Sequence, residues 1–182
     1  MVGAAQLYVL TLYFQDALGR TPLEAGLLFV PMTVASIVAS PVAGRLTTRL
    51  GARRRAAWGF GISGAGLMLV ASRMPHEDAL PAALLGMVVA EAGFVTASVP
   101  LTIAATEGVG EDEQGLASGV SSTTTELGNA LGWATVAAVI AAATAVPSAG
   151  ALRWGLWSAV AIAMLALMLV VVSMRPWSRE TG

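Results

Sequence analysis

The strongest constraint on the fold of this chain is a series of six long apolar runs. They cover about residues 1–17, 23–46, 56–72, 80–104, 116–146 and 154–174. An α-helix needs about 20 residues to cross the hydrocarbon core of a membrane, and most of these runs reach that length. A chain inside lipid must also pair its own backbone groups, which a helix does. The sequence therefore predicts an all-α membrane protein, a bundle of six transmembrane helices.

The composition excludes several other classes of protein. Charged residues make up 12% of the 182 residues, whereas about 25% is usual in soluble domains. The chain has no cysteine and a single histidine, His76, so it lacks the ligands of a thiolate or zinc site. Ten arginines and eleven acidic residues give a net charge of −1. The chain therefore has no excess of positive charge to attract nucleic acid. We therefore expect no enzyme activity, no cofactor, no metal and no nucleic-acid partner.

One glycine cluster matches a nucleotide-binding pattern. Gly59, Gly61 and Gly64 have the G-x-G-x-x-G spacing of dinucleotide sites, but such a site needs a preceding strand. No strand fits in a helical run of this length. We interpret these glycines, with Ser63 and Gly66, as small residues that let the third run pack closely against another helix.

The arginines predict how the chain is oriented in the membrane. Seven belong to one side, around the link between runs two and three and in the tail: Arg45, Arg49, Arg53, Arg54, Arg55, Arg175 and Arg179. Three belong to the other: Arg20, Arg73 and Arg153. Cytoplasmic loops carry the excess of positive charge, so we expect both termini in the cytoplasm. An anionic-lipid patch is the alternative interpretation of the Arg53 to Arg55 cluster.

The fifth run carries a polar face. At 100° per residue, the residues within about 60° of Glu126 include Gly115, Gly119, Ser122, Asn129 and Trp133. An intramembrane carboxylate is costly and usually functional, so Glu126 is our leading candidate for contact with substrate or protons. The hydroxyl groups nearby have interhelical hydrogen bonding as an alternative role. Gly128 and Gly132 lie roughly opposite Glu126, and both glycine pairs are predicted to pack against helices.

Glu91 is a second intramembrane carboxyl group, near the middle of the fourth run. A buried carboxyl group avoids the cost of its charge by holding a proton. We therefore expect Glu91 to take part in proton coupling or substrate contact, with neutral hydrogen bonding as the alternative. In the first run, Tyr8, Thr11 and Gln15 share a face and are candidates for lining the same cavity.

Three motifs, in this order, resemble those of the major facilitator superfamily, in particular the C-terminal half of its fourteen-helix drug:proton antiporters. The first comprises Leu12 to Gln15, Leu18-Gly19, Thr21 to Leu23, Ala25-Gly26 and Pro31. The second resembles the cytoplasmic loop motif and comprises Ser40-Pro41, Gly44, Arg45, Leu46, Arg49, Gly51, Arg53 and Arg54. The third comprises Gly115 to Gly119, Leu127-Gly128 and Ala130 to Gly132. The string Glu126-Leu-Gly-Asn129 is similar to exporters of quaternary ammonium compounds, whereas Thr48 replaces the usual Asp of the loop motif.

The resemblance implies one half of a carrier in the plasma membrane. Substrate and protons would compete for carboxylates in a cavity between two bundles, and the exported molecules would be lipophilic cations such as drugs and antiseptics. We expect the lipid bilayer and a missing N-terminal half as partners, and the short first run resembles a helix whose beginning is absent. The use of arginine alone and the abundance of alanine and glycine indicate a GC-rich, bacterial genome. The alternative is a truncated membrane protein without transport activity, or a partner that packs against other helices.

Overall fold

The computed structural model describes residues 2–50, 52–73, 79–106, 110–143 and 149–173, and these residues are almost entirely helical. The predicted all-α class is thereby confirmed. Seven α-helices have the following bounds: α1 Val2–Leu12, α2 Pro22–Leu28, α3 Val30–Leu50, α4 Ala52–Arg73, α5 Ala79–Thr106, α6 Gln114–Ala143 and α7 Ala149–Ser173. A π-helical turn, Tyr13–Ala17, extends α1, and a 3-10 turn, Glu111–Glu113, precedes α6.

Four of the described helical stretches are long and apolar enough to cross a membrane. They are Pro22–Arg45, Leu80–Ile103, Gln114–Ala143 and Leu152–Val172. The stretches that contain α3 and α6 bury only 6% and 17% of their residues inside the bundle, whereas those of α5 and α7 bury 33% each. Of these four stretches, the two that contain α3 and α6 are therefore the most exposed in the described bundle.

The second apolar run begins with a capping box. The N–H of Glu24 donates to the Thr21 hydroxyl at 3.3 Å, and the N–H of Thr21 donates to the Glu24 carboxylate at 2.9 Å. These bonds satisfy backbone donors that a helix N-terminus leaves unpaired. The structure divides the run into α2 and α3, because the chain makes a turn at Phe29, whose N–H donates to the Gly26 carbonyl at 3.1 Å.

The helices α4 and α5 pack so closely that glycines, which have no side chain, occupy parts of their contact. A Cβ atom added to Gly66 would lie 2.6 Å from the Gly86 carbonyl oxygen, and one added to Gly93 would lie 2.7 Å from that of Gly59. A Cβ atom added to Gly61 would meet no atom within 4 Å. The close packing expected of the third run is therefore present at Gly59 and Gly66, while Gly61 faces open space.

Candidate functional site

The helix α6 is attached to the bundle through its C-terminal half. Its buried residues are Gly132, Val136 and Ile140, and Ile140 lies against Gly155 of α7, where an added Cβ would come within 2.9 Å of its side chain. The preceding part of α6 is exposed or half-buried. Glu126 lies on this open part, and residues 114–143 contain no other charged side chain.

The residues predicted to share the face of Glu126 are at the surface. Ser122 is exposed, Asn129 is half-buried and Trp133 is 50% exposed. The indole Nε1 of Trp133 donates a hydrogen bond of 2.8 Å to the Ala4 carbonyl in α1. This bond ties α6 to α1 and fixes the ring about 10 Å along the helix from Glu126. The exposed carboxylate of Glu126 and an aromatic ring held against α1 therefore lie on the same face of α6.

The hydroxyl groups of the threonines on α6 bond within their own helix. Thr123, Thr124 and Thr125 donate to the carbonyls four residues earlier at 2.8 to 2.9 Å, and Thr135 does the same at 2.7 Å. In the described bundle these four hydroxyls donate to the backbone of their own helix, and interhelical bonding of the α6 hydroxyls stays an alternative.

Glu91 lies on α5, half-buried, and has a partner on another helix. The Ser36 hydroxyl of α3 donates to Glu91 Oε1 at 2.5 Å. Ser98, which shares the face of Glu91, donates to the Val95 carbonyl of its own helix. Among the described residues, no group of three or more His, Cys, Asp and Glu side chains is placed to hold a metal ion.

Gln6 of α1 was not among the predicted site residues, yet it is 1% exposed. Its Nε2 atom lies 3.5 Å from both the Met87 carbonyl of α5 and the Met32 sulfur of α3. No donor in the described part of the chain bonds to its Oε1 atom. The one sequence signal that could have identified Gln6 was an amide side chain inside the first apolar run.

Two other candidates of the first run, Tyr8 and Gln15, are half-buried. Tyr8 packs against the core, whereas Gln15 lies in the π-helical turn. That turn departs from the 100° spacing that placed the two residues on one face. Their predicted role in lining a cavity stays a prediction.

The predicted packing glycines of α6 occupy different surroundings. A Cβ atom at Gly115 or Gly119 would meet nothing within 4 Å, so both face open space in the described bundle. Gly132 is buried and Gly128 is half-buried. Contact of Gly115 and Gly119 with another helix stays a prediction.

The loop motif predicted from the sequence lies at the junction of α3 and α4. Gly44 is half-buried, Arg45 and Arg54 are exposed, and Gly51 and the Arg49 side chain lie outside the described structure. Arg53 donates to the Val171 carbonyl near the end of α7. Because carbonyl groups at a helix C-terminus attract cations, Arg53 links the start of α4 to α7.

Comparison with known families and proteins gives a consistent result. The family model described as Major Facilitator Superfamily matches residues 1–181. The multidrug resistance protein Stp of Mycobacterium tuberculosis is 30% identical over 136 residues, 75% of this chain and 25% of that protein. The drug efflux pump JefA of the same species is 31% identical over 136 residues, 75% and 26% of the two chains. The lincomycin resistance protein of Streptomyces lincolnensis is 30% identical over 129 residues, 71% and 27%.

The chain spans about a quarter of the length of these curated relatives. Among solved structures, a bacterial homologue of the iron transporter ferroportin, in an outward-facing state, has a similar fold. The TM-score is 0.70 at 17% identity, over 93% of this chain and 43% of that one. The match confirms the predicted fold class, an all-α membrane bundle, and it spans less than half of the ferroportin homologue.

Proposed function

The chain belongs to the Major Facilitator Superfamily, and on that premise we propose that it is the C-terminal bundle of a fourteen-helix exporter that exchanges lipophilic cations for protons. The members of this family are transporters and not enzymes, as the sequence predicted. The similar proteins named for multidrug resistance and drug efflux support export as the direction of transport.

The observation that carries this proposal is the open face of α6. A lipophilic cation placed there would meet the carboxylate of Glu126 and the ring of Trp133, which the bond to Ala4 holds in one orientation. Both groups attract cations, the carboxylate by its charge and the ring by its π-electrons. Because α6 brings no positive side chain of its own, nothing on this helix competes for the carboxylate.

Proton coupling follows from the same carboxylate. A proton and a cationic substrate neutralise Glu126 equally well, so each would displace the other as the site opens to one side of the membrane and then to the opposite side. We assign Glu126 the leading role and Glu91 a secondary one. Ser122 and Asn129 lie near Glu126 on the helix and would supply hydrogen bonds to the substrate.

A second bundle would cover the open helices. The helices α3 and α6, which bury the smallest share of their residues in this bundle, would line the cavity between the two halves. We therefore propose that an N-terminal half is the partner of this chain and that the cavity is incomplete without it.

An exporter assembled with a foreign N-terminal part tests this function. We expect a chimera in which this chain replaces the matching region of Stp to export fluorescent lipophilic cations in energised cells. Expressed alone, the chain should insert into the membrane and export none. Efflux by the chain alone would contradict the half-carrier proposal, and an inserted but inactive chimera would favour the helix-packing alternative.

The proposed orientation places the α3–α4 junction and the α5–α6 link in the cytoplasm of a bacterial cell. The chain has no native cysteine, so single cysteines report their own side of the membrane. We expect an impermeant thiol reagent to label Ser72→Cys in intact cells and to label Asp112→Cys only after permeabilisation. Both positions are exposed in the structure. The reverse labelling pattern would overturn the orientation.

A further inference from the structure

Three polar side chains lie within about one helical turn of each other where α1 contacts α3 and α5. They are Gln6 of α1, Ser36 of α3 and Glu91 of α5. Ser36 donates to Glu91 Oε1 at 2.5 Å, and Gln6 Nε2 lies 3.5 Å from the Met87 carbonyl and from the Met32 sulfur. We call these three residues the α1–α3–α5 junction.

Helical spacing relates Gln6 to the other two members of the junction. Met32 precedes Ser36 by four residues, and Met87 precedes Glu91 by four. Residues four apart lie on the same helix face, about 6 Å apart along the axis. The amide of Gln6 therefore touches α3 and α5 about one turn from the Ser36–Glu91 bond, within reach of a direct contact or one bridging water.

The negative charge of Glu91 has no counter-charge on the helix segments that form the junction. Residues 2–12, 30–44 and 79–106 contain no arginine, lysine or histidine. The titratable side chains in the described parts of the helices packed against α5 are Tyr8 on α1, Arg45 on α3, Arg53, Arg54, Arg55 and Arg73 on α4, and Glu126 on α6. All these arginines lie near helix ends, so none of them provides a counter-charge at the middle of α5.

Gln6 lacks a hydrogen-bond donor to its side-chain oxygen, and a protonated carboxyl group would provide one. Its Oε1 atom is a buried acceptor to which no described residue donates, and leaving a buried acceptor unpaired is unfavourable. A protonated carboxyl group has one O–H donor and keeps a carbonyl oxygen as an acceptor. At the junction, the carbonyl oxygen suits the Ser36 hydroxyl, and the O–H suits Gln6 Oε1.

We propose that Ser36 and Gln6 are positioning residues for the carboxyl group of Glu91 and that this junction is a proton-binding site separate from the face of Glu126. A proton taken from water converts the carboxylate of Glu91 to the acid, whose O–H then bonds to Gln6 directly or through one water. The bound proton thereby adds a bond between Gln6 and Glu91 to the contacts that Gln6 Nε2 already makes with α3 and α5, and its release removes that added bond. The proposal deepens the proton coupling proposed above and rests on it for its role in transport.

Carbodiimide labelling of the purified 182-residue chain in lipid nanodiscs tests the site without transport. The carboxyl O–H adds across the C=N bond of dicyclohexylcarbodiimide, and the product rearranges to a stable N-acylurea that mass spectrometry locates. We expect labelling of Glu91 by this lipid-soluble reagent. Gln6→Met removes the acceptor for the Glu91 proton and keeps a similar side-chain length among methionine neighbours. Labelling of Glu91 should then fall about two- to tenfold, which corresponds to the free energy of one hydrogen bond.

Ser98→Ala is the matched control, because Ser98 shares the face of Glu91 but bonds to its own helix. Glu91 in the Ser98→Ala variant should be labelled to the same extent as in the parent chain. The unfolding temperature of each variant, read from tryptophan fluorescence, verifies that folded proteins are compared. Glu91→Gln should unfold near the parent temperature, since its amide both donates and accepts, whereas Glu91→Met should unfold lower.

Absence of label on Glu91 in the folded parent would contradict the proposal, as would equal labelling of the parent and Gln6→Met. Equal unfolding temperatures of Glu91→Gln and Glu91→Met would contradict it too. These results are independent of the chimera that tests export. An inactive chimera with the expected labelling would remove the proposed function and retain the protonated junction.

Discussion

Glu126→Gln is expected to reduce the export of lipophilic cations about tenfold or more in a complete carrier that contains this half. The substitution keeps the shape and hydrogen-bonding capacity of the side chain and removes its charge. A loss of about 1.4 kcal/mol in the attraction for the cation corresponds to a factor of ten. An attraction of that size is reasonable for a carboxylate within a membrane cavity. Efflux of a fluorescent cation, normalised to the amount of carrier in the membrane, measures the effect.

Thr125→Val is the matched control for this prediction. Thr125 neighbours Glu126 on the exposed part of α6, but its hydroxyl donates to the Ser121 carbonyl of its own helix at 2.9 Å. Loss of this hydroxyl should leave cation export close to the parent level. Glu91→Gln should reduce export less than Glu126→Gln does. Parent-like export of cations by Glu126→Gln would show that the carboxylate is structural and would remove it from the site.

Gly66→Ala is expected to lower the free energy of unfolding by about 1 to 3 kcal/mol, the usual cost of overpacking. The added methyl group would lie 2.6 Å from the Gly86 carbonyl oxygen. A backbone carbonyl cannot rotate away as the tip of a side chain can, so α4 and α5 must separate. A lower unfolding temperature of the purified chain and a lower amount in the membrane measure the loss.

Gly61→Ala provides a comparison on the same helix. Both substitutions raise helix propensity by about 1 kcal/mol, but the methyl group at Gly61 would meet no atom within 4 Å. The stability of Gly61→Ala should therefore equal or exceed that of the parent. Equal stability of the two variants would mean that α4 and α5 are farther apart than the structure shows.

The helical architecture was predictable because the apolar runs leave few alternatives in lipid. The described α5, Ala79–Thr106, contains the predicted run 80–104 entire, and α4 contains the run 56–72. The break at Phe29 was missed, because residues 23–46 are apolar on both sides of it; the available signal was Pro31, which has no N–H to donate to the Leu27 carbonyl and is favoured in the first turn of a helix. The small residues from Gly59 to Gly66 indicated close packing, since glycine in a membrane helix is favoured where backbones touch.

The partners of the candidate site residues were harder to predict. Periodicity shows which residues share a helix face, but not which helix lies opposite. Ser98 shares the face of Glu91 by periodicity, whereas the hydroxyl that reaches Glu91 comes from Ser36, 55 positions earlier. For the same reason, Trp133 was expected on the polar face, but its bond to Ala4 could not be derived. Contacts of that kind depend on the arrangement of three helices in space.

The threonine bonds within α6 have a mechanical consequence. The carbonyls of Gly119, Val120 and Ser121 each accept a threonine hydroxyl, and such bonding bends helices. This stretch lies between the exposed end at Gln114 and the part that packs against Gly155 through Ile140. A change of tilt there would swing the end at Gln114 while Glu126 and Trp133 keep their spacing. Such a bend would therefore move one end of α6 and leave the spacing of the proposed cation-binding pair unchanged.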